Sequence, residues 1–186
     1  MLLYTCGNQM LNHGRLLTMK KQVAVLVTDF VEDVEYTYPV TAIEDAGHEL
    51  TSIGFEQGTV TGKHGTEITV DKAIPDVKPG DFDALFIPGG FSPDQLRADQ
   101  RFVDFVKYFL AKNKLTASIC HGPQLMIQTG LVHGRTMTSY LTVQPDLYYA
   151  GARIEDKPVV IDGNLITSRE PNDLPVFNDA VVTALG

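Results

Sequence analysis

The sequence predicts an α/β sandwich built on a mostly parallel sheet, and three observations predict it. Short β-rich apolar runs recur without alternation, which is how strands covered on both faces read. Stretches of helical period separate these runs. Glycines and a Pro-Gly-Gly turn punctuate the strand ends. In such folds ligands bind beyond the carboxyl ends of the strands.

The first run is Val23 to Thr28, followed by an acidic loop from Asp29 to Asp33. Glu35 to Ala46 reads as a helix, with Val34, Tyr38, Ile43 and Ala46 at roughly helical spacing and Gly47 as its stop. Glu49 to Gly54 is the second strand, and Thr59 to Val70, broken by Gly62 and Gly65, reads as a small hairpin. Asp83 to Ile87 is another buried run, ending in Pro88-Gly89-Gly90, where two glycines let the backbone approach a ligand. Asp99 is placed to cap a helix that carries Phe102, Val103, Val106, Phe109 and Leu110 on one side. Leu115 to Ile119 is the next strand, and Cys120-His121-Gly122-Pro123 hands it over to a short helix, Gln124 to Thr129, stopped by Gly130. A strand near Arg135 to Thr138 and a helix around Pro145 to Ala150 follow. A hairpin over 159–167 that turns at Asp162-Gly163 and a closing helix from Leu174 to Ala184 complete the chain.

Residues 1–19 show neither period and read as an extension outside the fold, leaving 20–186 as one domain. A translation start at Met19 would account for the extension. With 44% apolar and 20% charged residues, the 186-residue chain falls in the ordinary globular class and suits one core. A net charge of −8 with dispersed basic residues argues against nucleic acid as a partner. No apolar run approaches the roughly eighteen residues of a membrane span, and no basic segment precedes the first leucines as in a signal peptide. Cys6 and Cys120 are too far apart in sequence to suggest a disulfide framework, so a reducing, cytoplasmic location is expected. The histidines share no metal-ligand spacing, and neither H-E-x-x-H nor C-x-x-C occurs, so no metal is expected. The phosphate-binding glycine patterns and G-x-S-x-G are also missing from the sequence.

Cys120 is the candidate nucleophile. A reactive cysteine needs its thiol pKa of roughly 8.5 lowered, and the start of the following helix offers free N–H groups for that. Gly122 permits the sharp turn of a nucleophile elbow. The competing reading, a small apolar residue closing a buried strand, carries equal weight from the residues alone. His121 is either its base or a histidine satisfying a carbonyl at the turn. Cys6 reads as an incidental thiol. Asp29, Glu32, Asp33 and Glu35 form either a solvated acidic turn or the source of a protonated carboxyl that donates to sulfur.

Glu32-Asp33-Val34-Glu35, Thr61-Gly62-Lys63-His64-Gly65, Phe82-Asp83-Ala84-Leu85 with Pro88-Gly89-Gly90, and Ala117-Ser118-Ile119-Cys120-His121-Gly122-Pro123 together resemble the PfpI family of intracellular peptidases and protein deglycases. The match runs from Lys20 to Gly186. The resemblance implies a flavodoxin-like three-layer sandwich of the class I glutamine amidotransferase-like superfamily, a cofactor-free catalytic domain and a homodimer or higher homo-oligomer. It further implies Cys120 as nucleophile with His121 as partner, Glu35 beside the sulfur, and an oxyanion or substrate site bordered by Gly89, Gly90 and Gly122. Asp94, from a neighbouring subunit, would orient His121. The chain departs from the family's S-R-H-P-G-D-L with Ser168-Arg169-Glu170-Pro171-Asn172-Asp173-Leu174.

The expected function is that of a stress-response cysteine hydrolase acting on glyoxal, methylglyoxal or their early adducts on proteins and nucleotides. The alternatives are an intracellular peptidase or amidase, and a redox-sensing or chaperone-like stress protein in which Cys120 is oxidised.

Overall fold

The computed structural model describes residues 19–186; the expectations for the extension, including Cys6 and a start at Met19, fall mainly outside them. In chain order the elements begin with β1 (Gln22–Leu26), α1 (Asp33–Asp45), β2 (Glu49–Gly54), β3 (Gly58–Thr61), β4 (Glu67–Val70), β5 (Lys72–Ala73) and β6 (Ala84–Ile87). Next come α2 (Ser92–Leu96), α3 (Gln100–Ala111), β7 (Leu115–Ile119), α4 (Pro123–Ile127), β8 (Thr136–Met137) and α5 (Gln144–Tyr149). The chain closes with β9 (Arg153–Ile154), β10 (Val159–Asp162), β11 (Leu165–Ser168) and α6 (Leu174–Leu185).

Seven strands form the central sheet in the order β10-β11-β7-β6-β1-β2-β5. Every pair in it is parallel except β10 with β11. Its inner strands alternate between two cores, which explains their unbroken apolar runs. Ala24, Leu26, Leu85 and Ile87 face one layer with Phe102, Val106 and Phe109 of α3 and Leu125 of α4. Val23, Val25, Ala84, Phe86, Ala117 and Ile119 face the other, with Ile43 of α1 and Phe177 and Val181 of α6. A helical layer therefore covers each face, as the sequence predicts. The antiparallel β3–β4 hairpin stands apart and rests Ile68 and Val70 on Val27 and Val31. Among the described residues no helix is long and apolar enough to cross a membrane.

Local differences have physical causes. Helix α1 starts two residues before the expected Glu35, because Asp33 anchors its first turn to the hairpin tip. Its buried side is Asp33, Glu35, Pro39 and Ile43, while Tyr38, expected on the packed face, is exposed. The 159–167 hairpin turns one residue later than expected. Asp162 stays in the ladder opposite Leu165, and Gly163 takes the positive φ of 61° at the turn. The Asp99 cap is present, accepting from the Arg101 N–H at 2.9 Å.

From β1 the chain crosses to β2 on one side, and β6 lies on the other, so strand order reverses between β1 and β6. The crevice beyond the carboxyl ends at such a reversal is where open α/β sheets hold ligands. The loops after β1, β6 and β7 all open there.

Candidate active site

The loop after β1 is fixed on two sides. Phe30 N–H donates to the Thr61 carbonyl at 2.8 Å, and Phe91 N–H donates to the Phe30 carbonyl at 2.8 Å. The four acidic side chains of this region then part company. Asp29 accepts from Thr61 N–H at 2.7 Å. Glu32 pairs with Lys63 at 3.2 Å and His64 at 3.0 Å. Asp33 accepts from the His64 and Thr66 N–H groups, both at 2.8 Å. Burial alone would raise the Asp33 pKa, but these hydrogen bonds outweigh it and hold the carboxyl down to about 2. Glu35 alone of the four is fully buried, in the first turn of α1. Glu32, Asp33 and His64 bring ligand-type atoms within 4.8 Å of one another, but the bonds just described already occupy them.

Cys120 sits where β7 passes into α4, with φ at +59°, a left-handed conformation that a non-glycine residue adopts at a cost. Its N–H donates to the Ser168 carbonyl at 3.0 Å, and its carbonyl accepts from Tyr140 N–H at 2.9 Å. Gly122 makes the turn possible: a Cβ there would lie 2.2 Å from Ser118 Oγ and 2.5 Å from the Ile87 carbonyl. Gly122 thus serves the packing beneath the elbow and does not line the cavity above it.

Glycine also sets the distance between Glu35 and Cys120. A Cβ on Gly89 would lie 2.3 Å from Glu35 Oε2 and 2.7 Å from Cys120 Cβ, so carboxyl and cysteine meet across the space it leaves empty. Neither Glu35 oxygen has a hydrogen-bond partner of ordinary geometry among the described residues. Burial pushes the Glu35 carboxyl up to about 8, and the Glu32 charge adds to it. The nearby Cys120 side chain, Gly89 N–H and Lys63 pull it back. Glu35 therefore holds its proton at neutral pH.

The Cys120 thiol is pushed up as well, by burial and then by the charge an ionised Glu35 would carry. This corrects the expectation of a thiol lowered by the helix start, because burial of the sulfur, and then Glu35, outweigh what nearby N–H groups supply. The opposing pull comes from the Gly90 and His121 N–H groups, which approach the sulfur. While Glu35 stays protonated its charge penalty on the sulfur is absent, and the acid can donate to a thiolate.

His121 Nδ1 lies 3.2 Å from Cys120 Sγ, and its ring stacks on Tyr140 with centroids 5.0 Å apart. Burial first, and then the Lys63 charge, lower its pKa, so the ring is neutral at neutral pH and able to accept a proton. Asp94, on α2, pairs with Arg97 at 2.7 Å and makes no hydrogen bond to His121 of the same chain; its charge alone reaches the ring. The structure thus brings Cys120, His121, Glu35, Gly89 and Gly90 together and leaves Asp94 and Gly122 at the margin.

A cavity of about 860 Å³ opens over this group, and Glu35, Gly90, Cys120 and His121 form part of its lining. The DJ-1/PfpI family model matches residues 21–184. The chain belongs to the DJ-1/PfpI family. It is 53% identical over 161 residues to "Putative cysteine protease YraA" of Bacillus subtilis (strain 168), covering 86% of this chain and 95% of that one. General stress protein 18 of the same strain is 54% identical over 163 residues, with the same coverage of each chain. Among solved structures, a two-domain protein of Anabaena variabilis with DJ-1/ThiJ/PfpI-like and ferritin-like domains superposes with a TM-score of 0.87 at 38% identity. That match covers 90% of this chain and 48% of the other. DJ-1beta of Drosophila melanogaster superposes with a TM-score of 0.83 at 28% identity, over 90% and 91% of the two chains.

The cavity of this DJ-1/PfpI domain also includes residues that sequence patterns did not single out as functional. Phe30, Phe91 and Tyr140 supply exposed aromatic surface, and Lys63 brings a cation from the β3–β4 hairpin. Tyr140 lies twenty residues beyond Cys120, and no periodic or motif signal ties it to the site. Glu170 was visible only as a departure in a C-terminal loop. The structure places it on the cavity wall.

Proposed function

We propose that this protein is a cofactor-free cysteine hydrolase that takes small dicarbonyls such as methylglyoxal, or their early adducts, at Cys120. The observation that carries this reading is the fully buried Glu35 carboxyl, protonated at neutral pH and set against Cys120 across Gly89. Addition of sulfur to an aldehyde forms one C–S bond and leaves an oxyanion that needs a proton. Neutral His121 takes the thiol proton, and the Glu35 acid gives its proton to the developing oxygen. The Gly90 and His121 N–H groups near the sulfur stabilise that oxygen as it gains charge.

The hemithioacetal so formed loses its C–H proton to the Glu35 carboxylate, which returns a proton to the adjacent carbon, while the hydroxyl proton passes to the neighbouring carbonyl oxygen. The aldehyde carbon is thereby oxidised and its neighbour reduced within one molecule. Water then cleaves the resulting thioester, releasing a 2-hydroxy acid and free Cys120. No external oxidant or reductant enters the balance. Starting from an early adduct, the amine or thiol that carried the dicarbonyl leaves when sulfur replaces it.

A second reading, amide hydrolysis, is supported by the same pair of N–H groups near the sulfur and by the protease name of the Bacillus relative. It uses Cys120 and His121 but assigns no task to a protonated Glu35. Part of the proposal is that His121 gains its orienting carboxylate from Asp94 of a second copy, since Asp94 of its own chain makes no hydrogen bond to His121; the Arg97 pair of that copy would have to give way or be shared. Activity that stays constant on dilution to a monomer would remove that part.

Methylglyoxal consumption and peptide hydrolysis, measured side by side for the wild type, Cys120→Ala, His121→Ala and Glu35→Gln, test the reading. The expected result is Cys120-dependent lactate formation, reduced at least about a hundredfold in Glu35→Gln. Peptide cleavage that survives Glu35→Gln, with no Cys120-dependent lactate, would favour the second reading.

A further inference from the structure

Charges on the cavity wall are nearly balanced. Glu32 is matched by Lys63, His121 is neutral, and Glu35 keeps its proton at neutral pH. Glu170 is the exception. It is half-buried, and among the described residues it has no ion-pair partner; its side chain accepts only a long 3.4 Å contact from Asn172 Nδ2. Its neighbours hold it in place. Arg169 pairs with Asp156 at 3.0 Å and Asp173 at 2.9 Å, and Asp173 N–H donates to the Glu170 carbonyl at 2.9 Å.

Glu170 and Tyr140 line the reaction cavity and also a smaller polar cavity of about 190 Å³ beside it. The pair therefore stands where the two spaces meet. A carboxylate next to an aromatic ring is the arrangement that receives an ammonium, guanidinium or quaternary cation. Phe30, Phe91 and Pro171 supply an apolar wall for the stem that would carry such a cation.

We propose that Glu170 and Tyr140 form a cation subsite, so that the favoured substrates are carbonyl adducts on cationic carriers, such as those of basic side chains. This deepens the Cys120-centred reading and rests on it for the reacting end of the substrate; the subsite itself binds the other end. Free methylglyoxal, with no carrier, does not engage Glu170.

Three hemithioacetals of methylglyoxal that differ only in the charge of the thiol test this: thiocholine (cationic), 2-mercaptoethanol (neutral) and mercaptoacetate (anionic). The wild type is expected to prefer the cationic adduct over the neutral one by about tenfold in kcat/KM at low salt, mainly through KM, and to disfavour the anionic one. Glu170→Gln should bring the cationic-to-neutral ratio close to one, and Glu170→Lys should invert it. A wild-type ratio of one, or a ratio that survives Glu170→Gln, overturns the subsite while leaving the Cys120 reading intact.

Binding of benzyltrimethylammonium, followed by calorimetry on folded wild type and Glu170→Gln, separates the two claims because it needs no turnover. Binding weakened about fivefold or more in the variant supports the subsite even if no adduct is consumed, the outcome that would sink the Cys120 reading. Equal binding to both proteins overturns the subsite.

Discussion

Glu35→Gln should make the protein more stable and less active, with a pH dependence that follows from the buried carboxyl. In the folded chain this group titrates near 8, against an ordinary 4.5. Between those values the native state binds the proton more tightly than the unfolded chain does. Stability is therefore fully present below about pH 4.5, falls as pH rises and levels off above about 8. At about 1.36 kcal/mol per pH unit, the loss reaches about 3 kcal/mol at pH 7 and about 5 kcal/mol beyond pH 8. Glutamine keeps the shape of the protonated acid and cannot ionise. The variant should match the wild type near pH 4.5 and exceed it by about 3 kcal/mol at pH 7. Urea unfolding at pH 4.5, 6, 7 and 8.5, followed by far-UV circular dichroism, gives the difference, because groups away from Glu35 titrate alike in both proteins and cancel; placing both proteins in a Cys120→Ala background removes the thiol that feels Glu35. A difference that is flat across pH, or a variant less stable at pH 8.5, would refute the reasoning that Glu35 is held protonated by burial.

Gly89→Ala places a methyl 2.3 Å from Glu35 Oε2 and 2.7 Å from Cys120 Cβ, so it should cost about 1–3 kcal/mol and at least about tenfold in Cys120-dependent turnover. Unchanged turnover and thermal midpoint would show that the glycine does not set their spacing. Asp33→Asn should loosen the hairpin tip by about 1–2 kcal/mol at neutral pH, seen as faster amide exchange at His64 and Thr66. The Asp33 carboxyl titrates below its ordinary value. Its contribution is complete at neutral pH and fades as pH falls through about 2, and equal exchange in both proteins would discount the anchor.

The sequence by itself determined the architecture, because strands covered on both faces and helices with one apolar side leave periodic signals that survive without coordinates. Leu115 to Ile119 could be read as a buried strand, and Cys120 could be placed at its end, from residues that are neighbours in the chain. The turn at Asp162 was misplaced by one residue, since ladder register depends on the partner strand. Which of four neighbouring carboxylates faces the sulfur was beyond the sequence. Asp29, Glu32 and Asp33 are diverted by N–H groups and cations from the β3–β4 hairpin, about thirty residues away, and only Glu35 is left without a partner and dry. The same holds for the pKa of Cys120, which sequence expected to fall under the field of a helix. Only the tertiary structure shows that burial of the sulfur beside Glu35 dominates. Proton affinities in a site depend on what surrounds each group in space, and Glu35, Gly89, Cys120, Tyr140 and Glu170 come together only when the sheet closes.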